Sequence, residues 1–374
     1  VSPGFSPPAY PHDRLDSLAA IARAHEGGMV DLSVGMPSDA PPPAVVAALS
    51  TSGAERRYPA SIGTAPFREA AAAWMARRFG VDVDPSAVAA CIGTKELVVG
   101  LPHWLRLRRP ERDTVLYPAV SYPSYAMGAV LAGCRAVAVP LDDRWRLDLS
   151  TVAEEDASRA LCLWSNTPGN PAGGLDDLDA VARWGRRRGI PVLSDECYAE
   201  FTWDGLPHSI LQSGTDGVVA LHSLSKRSNL AGLRAGFYAG DPELVAYLSE
   251  VRKHAGFMVP GPVQAAAVVA LGDDAHVAVQ AGLYRSRLER ARTLLVEALD
   301  VAVAAPGGGF YLWVPAPGGD AWAFAERLAA EAGCLVAPGD FYGPAGAGHV
   351  RLALVVADDR LELVARRLFA AAAR

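Results

Sequence analysis

An α/β fold, with a mainly parallel central sheet flanked by helices and a smaller α+β domain beside it, is what three features of this sequence predict. Between residues 85 and 240, short β-branched runs alternate with longer amphipathic stretches, the pattern of parallel strands joined by helical crossovers. A long, charged amphipathic stretch over 275–299 leads away from that region. Beyond it, strand-like and helix-like segments follow one another in the manner of a small α+β lobe.

Taken in order, strands are expected over 88–92, 114–117, 136–139, 160–164, 191–194 and 218–222, each a short apolar run ended by turn residues. Helical periodicity is clearest over 66–79, 176–188 and 242–253, and Gly189 stands where a helix stop belongs. The 275–299 stretch puts Tyr284, Leu288, Ala291 and Leu295 on one face, which makes it a helix bridging to the second lobe. In that lobe strands are expected over 310–314, 334–337 and 350–355, and helices over 321–332 and 359–373. The chain then divides into an N-terminal arm with part of the small domain (1–45), a large domain (46–275) and a small C-terminal domain (276–374). The first eight residues, with Pro3, Pro7 and Pro8, read as an extended arm.

Composition narrows the function. With 374 residues, 51% hydrophobic and 20% charged, the chain has the make-up of a folded globular protein and not of a disordered or fibrous one. Its longest apolar run, 263–271, falls short of the ~18–20 residues of a membrane span. A formal net charge of -6 lacks the basic field that nucleic acid requires, so small molecules are the expected ligands. Five cysteines, an odd number with no C-x-x-C pair, argue against a disulfide framework and a structural zinc site; no metal is expected, and a reducing cytoplasm fits. The first residues have neither the basic nor the apolar region of an export signal.

Ligands of an open parallel sheet bind where strands end at their carboxyl side. Three polar segments sit there: 165–174 after one strand, Asp195-Glu196-Cys197-Tyr198 after the next, and Ser223-Leu224-Ser225-Lys226 after the third. Alone, the Asn170-Pro171 turn is ordinary turn chemistry. Asp195 suits a helix N-cap about as well as a functional carboxylate. Only three residues are lysines. Lys226 follows an apolar strand, Lys253 lies on a charged helix face, and Lys95 lies in a strand-to-helix turn whose free N–H groups suit a phosphate. Walker A, G-x-G-x-x-G, H-E-x-x-H and G-x-S-x-G motifs are absent, which removes the main support for nucleotide, zinc-protease and serine-hydrolase readings.

A lysine, an aspartate, an Asn/Tyr pair, an aromatic residue and a phosphate cradle, all after strands of one sheet, are what pyridoxal 5'-phosphate needs. The lysine forms a Schiff base and moves a proton, the carboxylate keeps the pyridine nitrogen protonated, neutral donors tune the phenolic oxygen, and an aromatic face covers the ring.

The ordered set Tyr58, Gly93-Thr94-Lys95-Glu96, Tyr122, Asn170-Pro171-Ala172-Gly173, Asp195-Glu196-Cys197-Tyr198, Ser223-Leu224-Ser225-Lys226, Arg234 and Arg351 resembles the fold-type I, class I/II aminotransferases over essentially the whole chain. The most specific element is Ser-x-Ser-Lys followed eight residues later by Arg234. The resemblance implies that Lys226 carries the cofactor as an imine and Asp195 pairs with its ring nitrogen. It also implies that Asn170 and Tyr198 contact the ring hydroxyl and that Tyr122 stacks on the ring. Thr94, Lys95, Ser223, Ser225 and Arg234 would hold the phosphate, with Tyr58 reaching across from the second subunit of a homodimer. Arg351 would grip the substrate α-carboxylate near the Gly35 backbone. A regulator that kept the scaffold should have lost Lys226 or Asp195, and neither is missing.

Within that family, four stretches resemble bacterial succinyldiaminopimelate aminotransferases: 93–102, 223–236, 251–260 and 336–343. They imply amino transfer between glutamate/2-oxoglutarate and N-succinyl-diaminopimelate. Ala172, Leu233 and Val355-Val356 depart from the usual pattern near the site. Those departures point to the alternative of a specialised-metabolism paralogue, with another amino-acid substrate or another reaction of the cofactor: elimination, replacement or C–C bond formation.

Overall fold

The computed structural model describes residues 4–373. The expected N-terminal arm lies partly outside them; from residue 4 to Tyr10 the backbone is neither helix nor strand, and a single turn over Pro11–Leu15 leads into α1 (Asp16–Arg23). Next come β1 (Val30–Asp31), α2 (Pro43–Thr51), α3 (Ala65–Phe79), β2 (Val88–Cys91), α4 (Thr94–Arg108), β3 (Thr114–Pro118), α5 (Ser124–Leu131) and β4 (Arg135–Val139). The middle of the chain supplies α6 (Glu154–Arg159), β5 (Ala160–Asn166), α7 (Leu178–Arg188), β6 (Val192–Asp195), β7 (Val218–Ser223), α8 (Leu224–Arg227), β8 (Gly236–Gly240), α9 (Pro242–His254) and α10 (Gly261–Gly272). The remainder is α11 (Ala275–Leu299), β9 (Tyr311–Pro315), α12 (Ala321–Ala332), β10 (Cys334–Leu335), β11 (Ala337–Pro338), β12 (His349–Ala353) and α13 (Asp358–Ala372).

Seven strands form the central sheet in the order β2-β8-β7-β6-β5-β3-β4. The pairs among β3 to β7 are parallel, and β8 alone runs antiparallel, to both β2 and β7. Every residue of β5 and β7 is buried because apolar layers cover both faces. Successive side chains alternate between those layers. Val218 and Ala220 pack with Trp184 of α7 and Ala266 of α10, whereas Val219 and Leu221 pack with Leu101 of α4 and Leu248 of α9.

Helix limits follow their caps. The stretch expected to be helical from 176 begins at Leu178 because the Asp177 carboxylate accepts from the Ala180 N–H, and it stops at Gly189, whose φ of 61° is left-handed. The apolar run 263–271 lies in α10, and no helix among the described residues is long and apolar enough to cross a membrane.

The small sheet, β11-β12-β9, is antiparallel. The single strand expected over 334–337 is instead two: β10 pairs in parallel with β1, and β11 pairs with β12. Leu15, Leu18 and Val30 from the N-terminal segment share one apolar cluster with Leu295 of α11, Leu328 of α12 and Leu361 of α13. Buried Arg287 on α11 closes this side, donating to both oxygens of Asp39 at 2.6 and 2.8 Å and to Asp358 at 2.8 Å. That fork fixes the loop after β1 over the carboxyl ends of the central strands.

Candidate active site

The register of the parallel strands places Asn166 beside Asp195 and Asp195 beside Leu221, so the segments leaving β5, β6 and β7 converge at one edge. A cavity of about 520 Å³ opens there. Thr94, Lys95, Tyr122, Asn170, Asp195 and Tyr198 line it, as do Ser223, Ser225, Lys226, Arg234, Gly35 and Arg351. Tyr58 does not line it: the side chain is 94% exposed on the surface.

Lys226 sits on α8, a single turn whose N-cap is Ser223, the Ser223 hydroxyl accepting from the Ser225 N–H at 3.1 Å. The Lys226 ammonium donates to the Gly35 carbonyl. Burial lowers its pKa to about 8, and the nearby Arg351 and Arg234 cations act in the same direction. An amine of that pKa is about one-tenth neutral at pH 7, a few hundred-fold more than an ordinary lysine, and that fraction can serve as a nucleophile or base.

Asp195 meets the opposite demand. Burial pushes its carboxyl up from the usual range, although the Cys197 N–H and the Tyr125 hydroxyl, 2.8 Å away, favour the charged form. No Lys, Arg or His pairs with it among the described residues. A buried carboxylate without a cation is costly, so a cationic ligand group would be stabilised against it. Asn166 braces this corner, donating to the Asp195 carbonyl at 2.9 Å and accepting from the Asn170 N–H at 2.8 Å.

At the far wall, α4 begins directly after Gly93, whose φ of 68° and ψ of 153° only glycine adopts readily. A Cβ there would come within 2.1 Å of an Arg234 guanidinium nitrogen. Arg234 also reaches the Ser225 hydroxyl at 3.4 Å. A helix N-terminus, a guanidinium and the Ser223 and Ser225 hydroxyls suit a phosphate. The Lys95 side chain turns elsewhere, donating to the hydroxyls of Tyr10 and Tyr122 at 3.3 Å each, which leaves its backbone N–H at the cradle.

Arg351 is only 2% exposed and has no carboxylate partner among the described residues. It donates to Asn170 Oδ1 at 2.9 Å and to the Ser33 carbonyl, while its buried Nε has no partner. The rings of Tyr311 and Tyr342 lie 4.3 and 4.8 Å from the guanidinium carbon. Such a cation is held ready for an anion. The Ser33 and Gly35 carbonyls, two residues apart on the loop after β1, thus hold Arg351 and Lys226 respectively.

The fold adds residues that sequence reasoning missed. Tyr10, His12, Asn166, Tyr125 and Tyr311 also line the cavity. Asn166 carried a usable signal as the last polar residue of its strand, and Tyr125 stands three residues after Tyr122, at the start of α5. Tyr10, His12 and Tyr311 arrive from segments remote in sequence. Among the described residues no group of His, Cys, Asp or Glu is placed to hold a metal ion.

Comparison with known proteins gives the family. Residues 27–368 match the family described as aminotransferase class I and II. The 4-dedimethylamino-4-oxo-anhydrotetracycline transaminase OxyQ of Streptomyces rimosus is 43% identical over 96% of this chain and 99% of its own. A probable aminotransferase of Mycobacterium tuberculosis is 45% identical over 96% of this chain and 85% of its own. Among solved structures, a probable N-succinyldiaminopimelate aminotransferase of Thermus thermophilus superimposes with a TM-score of 0.84 at 34% identity, covering 96% of this chain and 99% of that one. The chain belongs to the class I and II aminotransferases.

Proposed function

We propose that this aminotransferase uses Lys226, Asp195 and Tyr198 as its catalytic groups and Arg351 as the clamp for the α-carboxylate shared by amino and keto acid substrates. The family depends on pyridoxal 5'-phosphate, which supplies an aldehyde carbon that takes up nitrogen and a ring that accepts electrons from the substrate carbon. The residues fit that group. Asp195 is a buried carboxylate without a cation, suited to a protonated ring nitrogen. Thr94, the Lys95 backbone, Ser223, Ser225 and Arg234 suit the phosphate, completed by Tyr58 from a second copy of the chain. Asn170 Oδ1 is taken by Arg351, which leaves its amide NH₂ as a donor to the ring hydroxyl beside Tyr198, under the aromatic face of Tyr122. Lys226 Nζ then moves the proton at the substrate α-carbon.

The observation that carries this reading is the placement of a buried, anion-free Arg351 and a lysine of lowered pKa on carbonyls two residues apart. Carboxylate recognition and proton transfer are thereby assigned to adjacent points of one cavity.

The amino acceptor is a carbonyl compound of specialised metabolism with an apolar, ring-bearing body, glutamate being the donor. Tyr10, Val34 and Met36 give the cavity an apolar rim, Met36 being 61% exposed, and the 43% identity to OxyQ exceeds the 34% identity to the Thermus protein. Ala172, Leu233, Val355 and Val356 do not line the cavity and do not bear on this choice. Amino transfer to N-succinylated 2-amino-6-ketopimelate is the second reading, supported by the Thermus structure.

Glutamate alone should convert the loaded protein's visible absorbance to that of the amine form in a single turnover, and an accepted carbonyl compound should restore it. An absorbance that persists with every amino donor would exclude transamination and favour elimination or replacement. Restoration by the succinylated keto acid but by no ring-bearing ketone would select the second reading.

The Lys226 pKa has its own consequence. Covalent capture of pyridoxal 5'-phosphate by the apoprotein requires the neutral amine, so its rate should rise about tenfold per pH unit below a midpoint near 8 and level off above it. A rate still climbing at pH 10, as for an ordinary lysine with pKa 10.5, would contradict the placement of this amine.

A further inference from the structure

We infer that Tyr311 is a positioning residue that fixes Tyr198 as a hydrogen-bond donor toward the cofactor's ring oxygen; the inference rests on the role proposed for Tyr198. The two hydroxyls lie 2.9 Å apart, and each is the other's only hydrogen-bond partner among the described residues. Both rings are buried. A phenol carries one proton, so a pair joined by one hydrogen bond has one hydroxyl proton left to donate elsewhere.

Surroundings decide which tyrosine keeps that proton. The Tyr311 hydroxyl is pressed against Gly35, where a Cβ would come within 2.1 Å of it, and its ring lies on the guanidinium of Arg351, which can only donate. Among the described residues the Tyr311 hydroxyl has no second hydrogen-bond partner. Tyr311 therefore donates to Tyr198, and the Tyr198 proton is directed into the cavity that both residues line. This also accounts for glycine at position 35, since any side chain there would displace the hydroxyl.

A phenol that accepts a hydrogen bond donates a stronger one. With the cofactor bound, Tyr198 so polarised would be the stronger donor to its ring oxygen, and Lys226 Nζ would give up its proton at lower pH than without Tyr311. Tyr311 would act through Tyr198.

The test is a pH titration of the visible absorbance of the loaded enzyme, comparing wild type, Tyr198→Phe, Tyr311→Phe and the double variant. Tyr311→Phe keeps the ring on Arg351 and deletes only the hydroxyl. It should raise the midpoint by about half a unit to one unit. Tyr198→Phe should raise it further, and adding Tyr311→Phe to that variant should change nothing more. The KM for a keto acid should stay within about twofold of wild type in Tyr311→Phe. An unmoved midpoint in Tyr311→Phe, or a full extra shift in the double variant, overturns the inference. A large rise in KM with an unmoved midpoint does so too, assigning Tyr311 to Arg351 alone. Failure of borohydride to fix the cofactor on Lys226 in the wild type would instead overturn the proposed function itself, and is read separately.

Discussion

Replacing Lys226 with alanine is expected to yield a folded protein without covalently held cofactor and with turnover reduced by at least about 10⁴-fold, since both the nucleophile and the proton carrier are removed. The other two lysines are not placed to substitute. Lys95 is held by Tyr10 and Tyr122, and Lys253 lies on the surface 3.4 Å from Glu250. Folding should be unharmed or slightly favoured. Burial works against the Lys226 charge, and its hydrogen bond is to a loop carbonyl at the cavity wall and not to the core. Thermal unfolding of the variant therefore separates lost chemistry from lost structure. Borohydride reduction followed by peptide mapping provides the direct measurement: label on position 226 in the wild type and none in the variant. Label on Lys95 or Lys253 would refute the assignment.

The legibility of this lysine had a simple cause: three lysines in the chain, one of them directly after a buried strand. The parallel strands were legible for a similar reason, because burial on both faces leaves unbroken apolar runs such as 160–164 and 218–222. Strand β8 was not. It begins and ends with glycine because neighbouring backbone comes too close for a side chain: a Cβ at Gly236 would lie 2.7 Å from the His222 carbonyl oxygen, and one at Gly240 would lie 2.1 Å from that of Val218. Close packing thus erased the propensity signal that should have marked the strand. The break at Val336 was hidden for another reason. Residues 334–338 are continuously apolar, and only pairing with β1 on one side and β12 on the other divides them between two sheets.

Within the site, residues delivered by the sheet were legible and those delivered by tertiary approach were not. Asp195 was ambiguous in sequence, because a carboxylate after a strand can equally cap a helix; it is resolved by Tyr125 donating to it and by Tyr198, not Asp195, standing at the N-cap of the next turn. Tyr311 reads in sequence as one more core aromatic of a strand, and joins the site only because β9 sets it against Gly35 and Arg351. The Lys95 side chain depends on Tyr10, 85 residues away, for its direction. Such placements need the arm, the loop after β1 and the small sheet to be assembled first.

Arg351→Ala should produce the second large effect, of a different kind. The cofactor should remain bound, because Arg351 is hydrogen-bonded to Asn170 but not to Asp195, Ser223, Ser225 or Arg234, while kcat/KM for both amino and keto acids falls by roughly 10²- to 10³-fold, the loss expected when one partner of a buried, hydrogen-bonded charge pair is removed. Lysine at this position should recover little, since it lacks the planar fork that meets both carboxylate oxygens. The deletion should also reach Lys226. Burial is the larger cause of that amine's lowered pKa, but the Arg351 cation adds to it, so the pH midpoint for cofactor capture should move up from about 8 toward the ordinary lysine value. Steady-state kinetics with paired donors and acceptors, together with the capture profile, measure both effects on one variant. A bleached protein would place Arg351 with the cofactor and not the substrate. A KM raised for only one of the two substrates would remove the shared α-carboxylate as its ligand.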